Sequence, residues 1–180
     1  MSSTPYVEDE QTKGITDFTV SALPAEGSRF VKPKRIHYKE RGVSRIWDAT
    51  ESFESVVVLL YHVEKKAFIL VRQFRPPVLM ALRMTQPSTA PAAAFTYECC
   101  AGLVDKPISL DHIVREEILE ECGYDVSVDA ISKIATYHTS VGTSGAPQHI
   151  YYAEVCRTVP LFFFVFVRPF FYFFLMIVEA

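Results

Sequence analysis

Glu116, Glu117, Glu120 and Glu121 place four carboxylates within two turns of what reads as a single helix. Glu117 then lies beside both Glu120 and Glu121, at the three- and four-residue spacings that make neighbours on a helix. Each like-charge pair four residues apart costs on the order of 0.2–0.5 kcal/mol in an isolated helix, so something must offset the repulsion. One answer is a solvated helix face with Arg115 and Lys133 nearby. The other is a metal ion. Glu117 and Glu121 continue the line set by Ile113, alongside the apolar stripe of Leu110, Val114 and Ile118, and therefore border the buried face. Acids held there want a cation. All-oxygen ligands suit Mg²⁺ or Mn²⁺, held together with waters and substrate phosphates. A pyrophosphate completes such a site, because a bound metal neutralises phosphate charge, polarises P–O bonds and activates an attacking water.

The elements that must position these acids are readable on either side of them. Ser109 is a good N-cap and Gly123 suits the residue after the last turn, so the spacing predicts a helix over 110–122. Upstream, the apolar runs 55–61 and Ala67–Phe74 flank a polar turn at 64–66 and predict two strands, both largely buried. Residues 35–47 read as two short strands around Arg41-Gly42. Pro76-Pro77 stops the second buried strand, and 79–95, rich in Ala, Pro, Ser and Thr, reads as an irregular surface loop. Downstream, 134–138 and 149–155 read as strands separated by the Gly-rich loop 141–146. No internal repeat appears.

A chain of 180 residues accommodates one domain with a proper core. The division is a polar, loosely ordered arm over 1–33, a domain over 34–156, and an apolar tail over 157–180. A net charge of −3 with scattered Lys and Arg gives no basic field, which argues against nucleic acid as a polymeric partner. Cys99, Cys100, Cys122 and Cys156 lack the spacing of a zinc knuckle or a disulfide framework and fit reduced thiols in the cytoplasm. The acidic N-terminus carries no export signal.

Gly102, Glu117, Ile118, Glu120, Glu121, Gly123 and Tyr124 match at their proper spacing the pattern G-x5-E-x7-R-E-U-x-E-E-x-G-U, with U a bulky apolar residue. The chain thus resembles the Nudix hydrolases. Two positions depart: the early Glu is Ile108, and the Arg before the first helix acid is Glu116, with Arg115 one residue upstream. The resemblance implies an α+β fold, a mixed sheet between helices. It also implies Glu117, Glu120 and Glu121 as catalytic metal-binding acids and the Ala101 carbonyl as a backbone ligand. Three further segments, 46–48, 70–78 and 98–105, followed by 120–124 and 137–142, look like the UDP-sugar and ADP-ribose pyrophosphatases, and most like the UDP-glucose group.

For that group the resemblance implies that Trp47, with Asp48, holds the nucleobase and that Arg75 contacts phosphate, as a guanidinium suits bidentate oxygen recognition. Each has a plainer alternative: a core or hairpin anchor for Trp47, a surface ion pair for Arg75, and for Glu98 a strand-end residue in place of an auxiliary acid. The expected reaction is Mg²⁺-dependent hydrolysis of a nucleoside diphosphate sugar to nucleoside monophosphate and sugar 1-phosphate. The alternatives are ADP-ribose hydrolysis and a weak or inactive nucleotide-binding module. Relatives pair through their N-terminal strands, which implies a homodimer.

The likeness covers roughly 35–155. The stretch 161–178 packs eight of the fourteen Phe residues into eighteen positions, where relatives have an acidic loop bearing a Glu base, a closing strand and a C-terminal helix. The fold expected here lacks those closing elements. Three readings are open for the tail: a membrane anchor, opposed by Arg168 and Pro169; a buried element of the fold; and departure from the family's frame near Cys156, as a retained intron would produce. The last is preferred.

Overall fold

The computed structural model describes residues 14–24, 27, 28, 30–156 and, for the backbone, 174–179. The scaffold begins with the alternation of two apolar strands. In β3 (Ser55–His62) Val56, Val58, Leu60 and His62 are buried, and in β4 (Ala67–Phe74) Ala67, Ile69, Val71 and Gln73 are buried, while the residues between them are half-buried on the other face. The expected burial therefore holds for one face of each strand, as the two-residue period of a strand dictates.

β3 is the axis of a mixed sheet. It runs parallel to β8 (Pro147–Val155) along one side, and on the other it pairs antiparallel with β6 (Cys100–Leu103) and, further along, with β4. β4 carries β5 (Phe95–Glu98), and β7 (Ile131–His138) adds to β8. One acidic helix, α2 (Leu110–Cys122), lies across the face formed by the buried alternation and packs on β3, β4, β6 and β7. Its residues Ile113, Val114, Ile118 and Cys122 join Val56, Val58, Leu60, Ile69, Val71 and Tyr151 in one core. Full burial of each large aliphatic side chain contributes about 1.5–3 kcal/mol. That exceeds the cost of any one acid pair on the helix, so packing holds α2 in place while its outer edge stays acidic. Gly123 ends it in the left-handed conformation, φ 76°, which a glycine adopts without steric cost. Ser109 occupies the N-cap position, yet its hydroxyl bonds His112 Nδ1 at 2.7 Å and caps no backbone N–H.

The expected loop over 79–95 is corrected. Pro76–Thr85 form a helix, α1, and Pro91–Ala94 a single 3₁₀ turn. Pro76 and Pro77 sit at the first two helical positions, where a missing N–H costs nothing and the fixed φ suits the turn. The same prolines that end β4 therefore start a helix, and Leu79, Ala81, Leu82 and Met84 propagate it.

β1 (Lys32–Glu40) and β2 (Val43–Glu51) are longer than expected and form a separate two-stranded antiparallel ribbon around Arg41 and Gly42, both at positive φ. Nearly every residue of the ribbon is exposed. In the arm, the Phe18 ring meets the Arg83 guanidinium at 5.1 Å. Residues 1–13, 25, 26 and 29 of that arm, and 157–173 and 180 of the tail, lie outside the described residues, as does the tail reading as a whole apart from the backbone of Phe174–Glu179. That backbone forms β9, which pairs antiparallel with β4 along Ala67–Arg72. Among the described residues no helix is long and apolar enough to cross a membrane.

Candidate active site

The β3–β6 pairing sets Ala101 opposite Val57 and Gly102 opposite Val56, and α2 packs directly over this stretch. Two helix acids meet it. The Ala101 N–H donates to Glu121 Oε2 at 3.1 Å. Glu117 lies over Gly102 so closely that a Cβ at 102 would fall 2.1 Å from the Glu117 carboxyl carbon. The glycine is thus a cradle for a carboxylate.

Burial is the main cause that pushes both acids up to about 7. For Glu117 the neighbouring Glu121 and Glu120 add to it; for Glu121 the Ala101 N–H, the Cys100 thiol and Arg75 act in the opposite direction without cancelling it. Desolvation disfavours a lone carboxylate, and a second negative charge nearby disfavours it further.

Arg75 occupies the residue before the first turn of α1 and reaches Glu98 at the end of β5. Its Nε donates to Glu98 Oε1 at 2.8 Å and its Nη2 to Oε2, while the Thr96 hydroxyl also donates to Glu98. The bidentate pair is half-buried and holds the Glu98 carboxyl below its usual range. The positive charge of Arg75 is also felt by Glu121. Arg75, Glu98, Ala101, Gly102, Glu117 and Glu121 therefore converge on one end of α2, with Glu120 beside them.

Of the two cations expected to neutralise the helix, neither Arg115 nor Lys133 pairs with a helix acid among the described residues. Arg115 turns to Asp125, with contacts of 2.7 and 3.1 Å. Lys106, which sequence reasoning did not single out, reaches Glu116 at 2.5 Å from the loop before the helix. Among the described residues neither Glu117 nor Glu120 has an ion-pair partner, and no three His, Cys, Asp or Glu side chains already converge as a closed metal cage. The donor set nonetheless fits a hard divalent cation: carboxylate oxygens on one helix edge, two of them kept near neutrality by burial and crowding, which is the cost a bound cation relieves.

Trp47 and Asp48 sit elsewhere, on the exposed ribbon. Trp47 is 50% exposed, so it is no core anchor, and its indole N–H donates to the Gly142 carbonyl at 2.9 Å. The Thr50 N–H donates to the Thr143 carbonyl at 2.7 Å. The Gly-rich loop between β7 and β8 thus holds the ribbon at two points. Asp48 is engaged bidentately by Arg35 at 2.7 and 2.9 Å, which holds its carboxyl below the usual range.

No family model matches the chain. The uridine diphosphate glucose pyrophosphatase of Bos taurus is 33% identical over 164 residues, covering 81% of this chain and 72% of the bovine protein. The chain belongs to the Nudix hydrolases. The Mus musculus enzyme of the same name is 33% identical over 146 residues, 71% of this chain and 66% of its own length. A GDP-mannose pyrophosphatase of Cronobacter sakazakii is 34% identical over 97 residues, 54% of this chain and 45% of the bacterial protein. The fold agrees as well. A crystal structure of an ADP compounds hydrolase superposes with a TM-score of 0.59 at 14% identity, over 89% of this chain and 74% of that one.

As a Nudix hydrolase the chain gives its motif glycine a steric reason, the Glu117 carboxyl over Gly102. Sequence reasoning missed three partners: Lys106, the Gly142 carbonyl, and buried His149, whose Nε2 meets Glu54 Oε2 at 3.0 Å and whose Nδ1 meets the Thr136 hydroxyl at 2.9 Å. Two of the three depend on contacts far apart in the chain, which no local pattern displays.

Proposed function

We propose that the chain hydrolyses the pyrophosphate of a nucleoside diphosphate sugar of the UDP-glucose type, giving a nucleoside monophosphate and a sugar 1-phosphate. The observation that carries this reading is the desolvated acid pair Glu117 and Glu121 beside the Ala101–Gly102 stretch and Arg75, in a chain similar to UDP-glucose and GDP-mannose pyrophosphatases.

In this reading Glu117, Glu120, Glu121 and the Ala101 carbonyl hold Mg²⁺, with Mn²⁺ as a substitute. When bound, the cation supplies charge neutralisation at the pyrophosphate and lowers the pKa of a water. The residues do the rest. Glu121 is kept in place by the Ala101 N–H, and Glu117 by the cradle at Gly102. Arg75 exchanges one partner, Glu98, for a phosphate oxygen of the same bidentate geometry. Trp47, its indole plane set by Gly142, offers a face to the nucleobase, and Asp48 borders it.

Two further parts belong to the proposal. A second copy of the chain covers the β1–β2 ribbon, whose Ile36, Ile46 and Val43 are about half exposed. The place of work is the cytoplasm, where thiols such as Cys100 and Cys122 stay reduced.

The test is Mg²⁺-dependent release of UMP from UDP-glucose by the purified chain, with GDP-mannose and ADP-ribose run in parallel and Glu121→Gln as the inactive control. Turnover of UDP-glucose with the highest kcat/KM supports the reading. A protein inert toward all three with Mg²⁺ and with Mn²⁺ overturns it, and preference for ADP-ribose moves the substrate assignment.

A further inference from the structure

We propose that Lys106 is the positioning residue of the acidic helix, through a loop-to-helix ion pair with Glu116 whose polarity is the reverse of the family pattern. That pattern sets an acid in the loop, where this chain has Ile108, and an arginine on the helix, where it has Glu116. One of the pattern's charges is absent and the other is reversed. Ile108 is apolar and 41% exposed, so it offers Glu116 nothing, and Arg115 is taken by Asp125.

Lys106 fills the gap from two residues upstream. Its Nζ lies 2.5 Å from Glu116 Oε2, and its charge is felt by Glu120 and Glu117 as well. It precedes Pro107, which restricts its backbone to extended conformations and limits the positions from which the side chain starts. The chain is thereby tied to α2 at two places on one short segment: Glu121 to the Ala101 N–H, and Glu116 to Lys106 five residues later. Gly102, under Glu117, lies between them. A tie on each side of Gly102 fixes where the helix edge stands over the segment that carries Ala101 and Gly102. Core packing of Ile113, Val114 and Ile118 holds α2 on the sheet, and the second tie sets the loop that carries Lys106 against the helix edge at Glu116. The inverted pair keeps the loop and helix oppositely charged even though neither family residue is present.

The experiment is a charge-swap cycle: Lys106→Glu, Glu116→Lys, and both together, which restores a pair in the family polarity. Thermal melts in EDTA read the ion pair itself. Each single change lowers Tm by about 1–4 °C, as an exposed pair in a chain of this size allows, and the double recovers most of the loss. Calorimetric Mg²⁺ titration reads the positioning. Glu116→Lys weakens affinity about two- to five-fold, and the double change restores it, as does Lys106→Arg relative to Lys106→Glu. If a single variant does not fold, Lys106→Arg and Lys106→Met keep the comparison. Additive Tm losses in the double variant overturn the pair. Coupled melts with the same Mg²⁺ affinity in every variant overturn the positioning role. The second readout rests on the metal reading above: a wild-type chain without Mg²⁺ affinity defeats that reading and the positioning role with it, while the EDTA melts still decide the ion pair.

Discussion

Glu117 closes over Gly102 with no room for a methyl group: a Cβ there meets the carboxyl carbon and one carboxyl oxygen at 2.1 Å and the preceding methylene at 2.6 Å. The obstruction is a flexible side chain and not backbone, and Gly102 lies in a strand without positive φ. Gly102→Ala is therefore expected to leave the fold standing and to displace the carboxylate. Tm changes little, while Mg²⁺ affinity falls about 10- to 100-fold, the range for disturbing groups that orient metal ligands. A variant that loses Tm and keeps its affinity would show that the glycine serves packing alone.

The two raised acids set a pH dependence with a definite sign. Glu117 and Glu121 stand at about 7 in the folded chain against an ordinary value of 4.5. The folded form therefore retains protons that the unfolded chain releases. The stability tied to these protons is fully present below 4.5 and is lost as the pH rises through 7. In EDTA, Tm is expected to fall between about pH 5 and pH 8 relative to a Glu117→Gln, Glu121→Gln variant, which has no such protons to lose. If the acids hold Mg²⁺ as proposed, adding it is expected to remove the difference for the wild type, with proton release on binding below pH 7. Equal Tm profiles for the two proteins in EDTA would defeat the argument.

Much of this was legible in the chain itself. Helix α2 has its predicted bounds because its apolar stripe and its terminal glycine act within a few residues of one another, although Ser109 at the N-cap position caps no backbone N–H; β3 and β4 are likewise set by local runs of apolar residues. The loop expected over 79–95 gives way to a helix and a 3₁₀ turn because Ala, Pro and Ser are common to loops and to helix starts, and only the packing of Leu79 decides between them. Ion pairs were less legible. Arg115 is nearest in sequence to the helix acids, yet its side chain goes to Asp125, while Lys106 arrives from a loop whose path the sequence does not display. The sequence leaves Arg75 as a phosphate contact or a surface ion pair and Glu98 as an auxiliary acid or a strand-end residue; that they hold one another follows from the β4–β5 pairing. The exposure of Trp47 follows from a ribbon that stands apart from the main sheet.

The Arg75–Glu98 pair allows structure and binding to be separated. Arg75→Gln leaves a half-buried carboxylate without its partner, which costs about 1–3 kcal/mol, and the double change Arg75→Gln, Glu98→Gln is expected to recover that stability. If Arg75 also binds phosphate, KM stays raised about 10- to 100-fold in both proteins, the loss of a charge-assisted hydrogen bond. Recovery of KM along with Tm in the double variant would reduce Arg75 to an ion-pair partner.

Trp47 reports on binding without any need for turnover. It is the only tryptophan, half exposed, and its orientation depends on a 2.9 Å hydrogen bond to the Gly142 carbonyl. A nucleobase stacked on the indole quenches its fluorescence, so titration with UMP or UDP-glucose gives Kd directly. Trp47→Phe keeps an aromatic face and loses the N–H. It is expected to weaken binding about 2- to 10-fold, the worth of one ordinary hydrogen bond acting through ring orientation. The loss is to be measured by calorimetry, since the fluorophore is gone. Trp47→Ala removes the face as well and is expected to lose more. Because neither change touches the acidic helix, Mg²⁺ affinity stays at the wild-type value in both. Nucleotide binding that leaves the indole signal unmoved, or a Trp47→Ala protein with wild-type Kd, would place the nucleobase away from the ribbon.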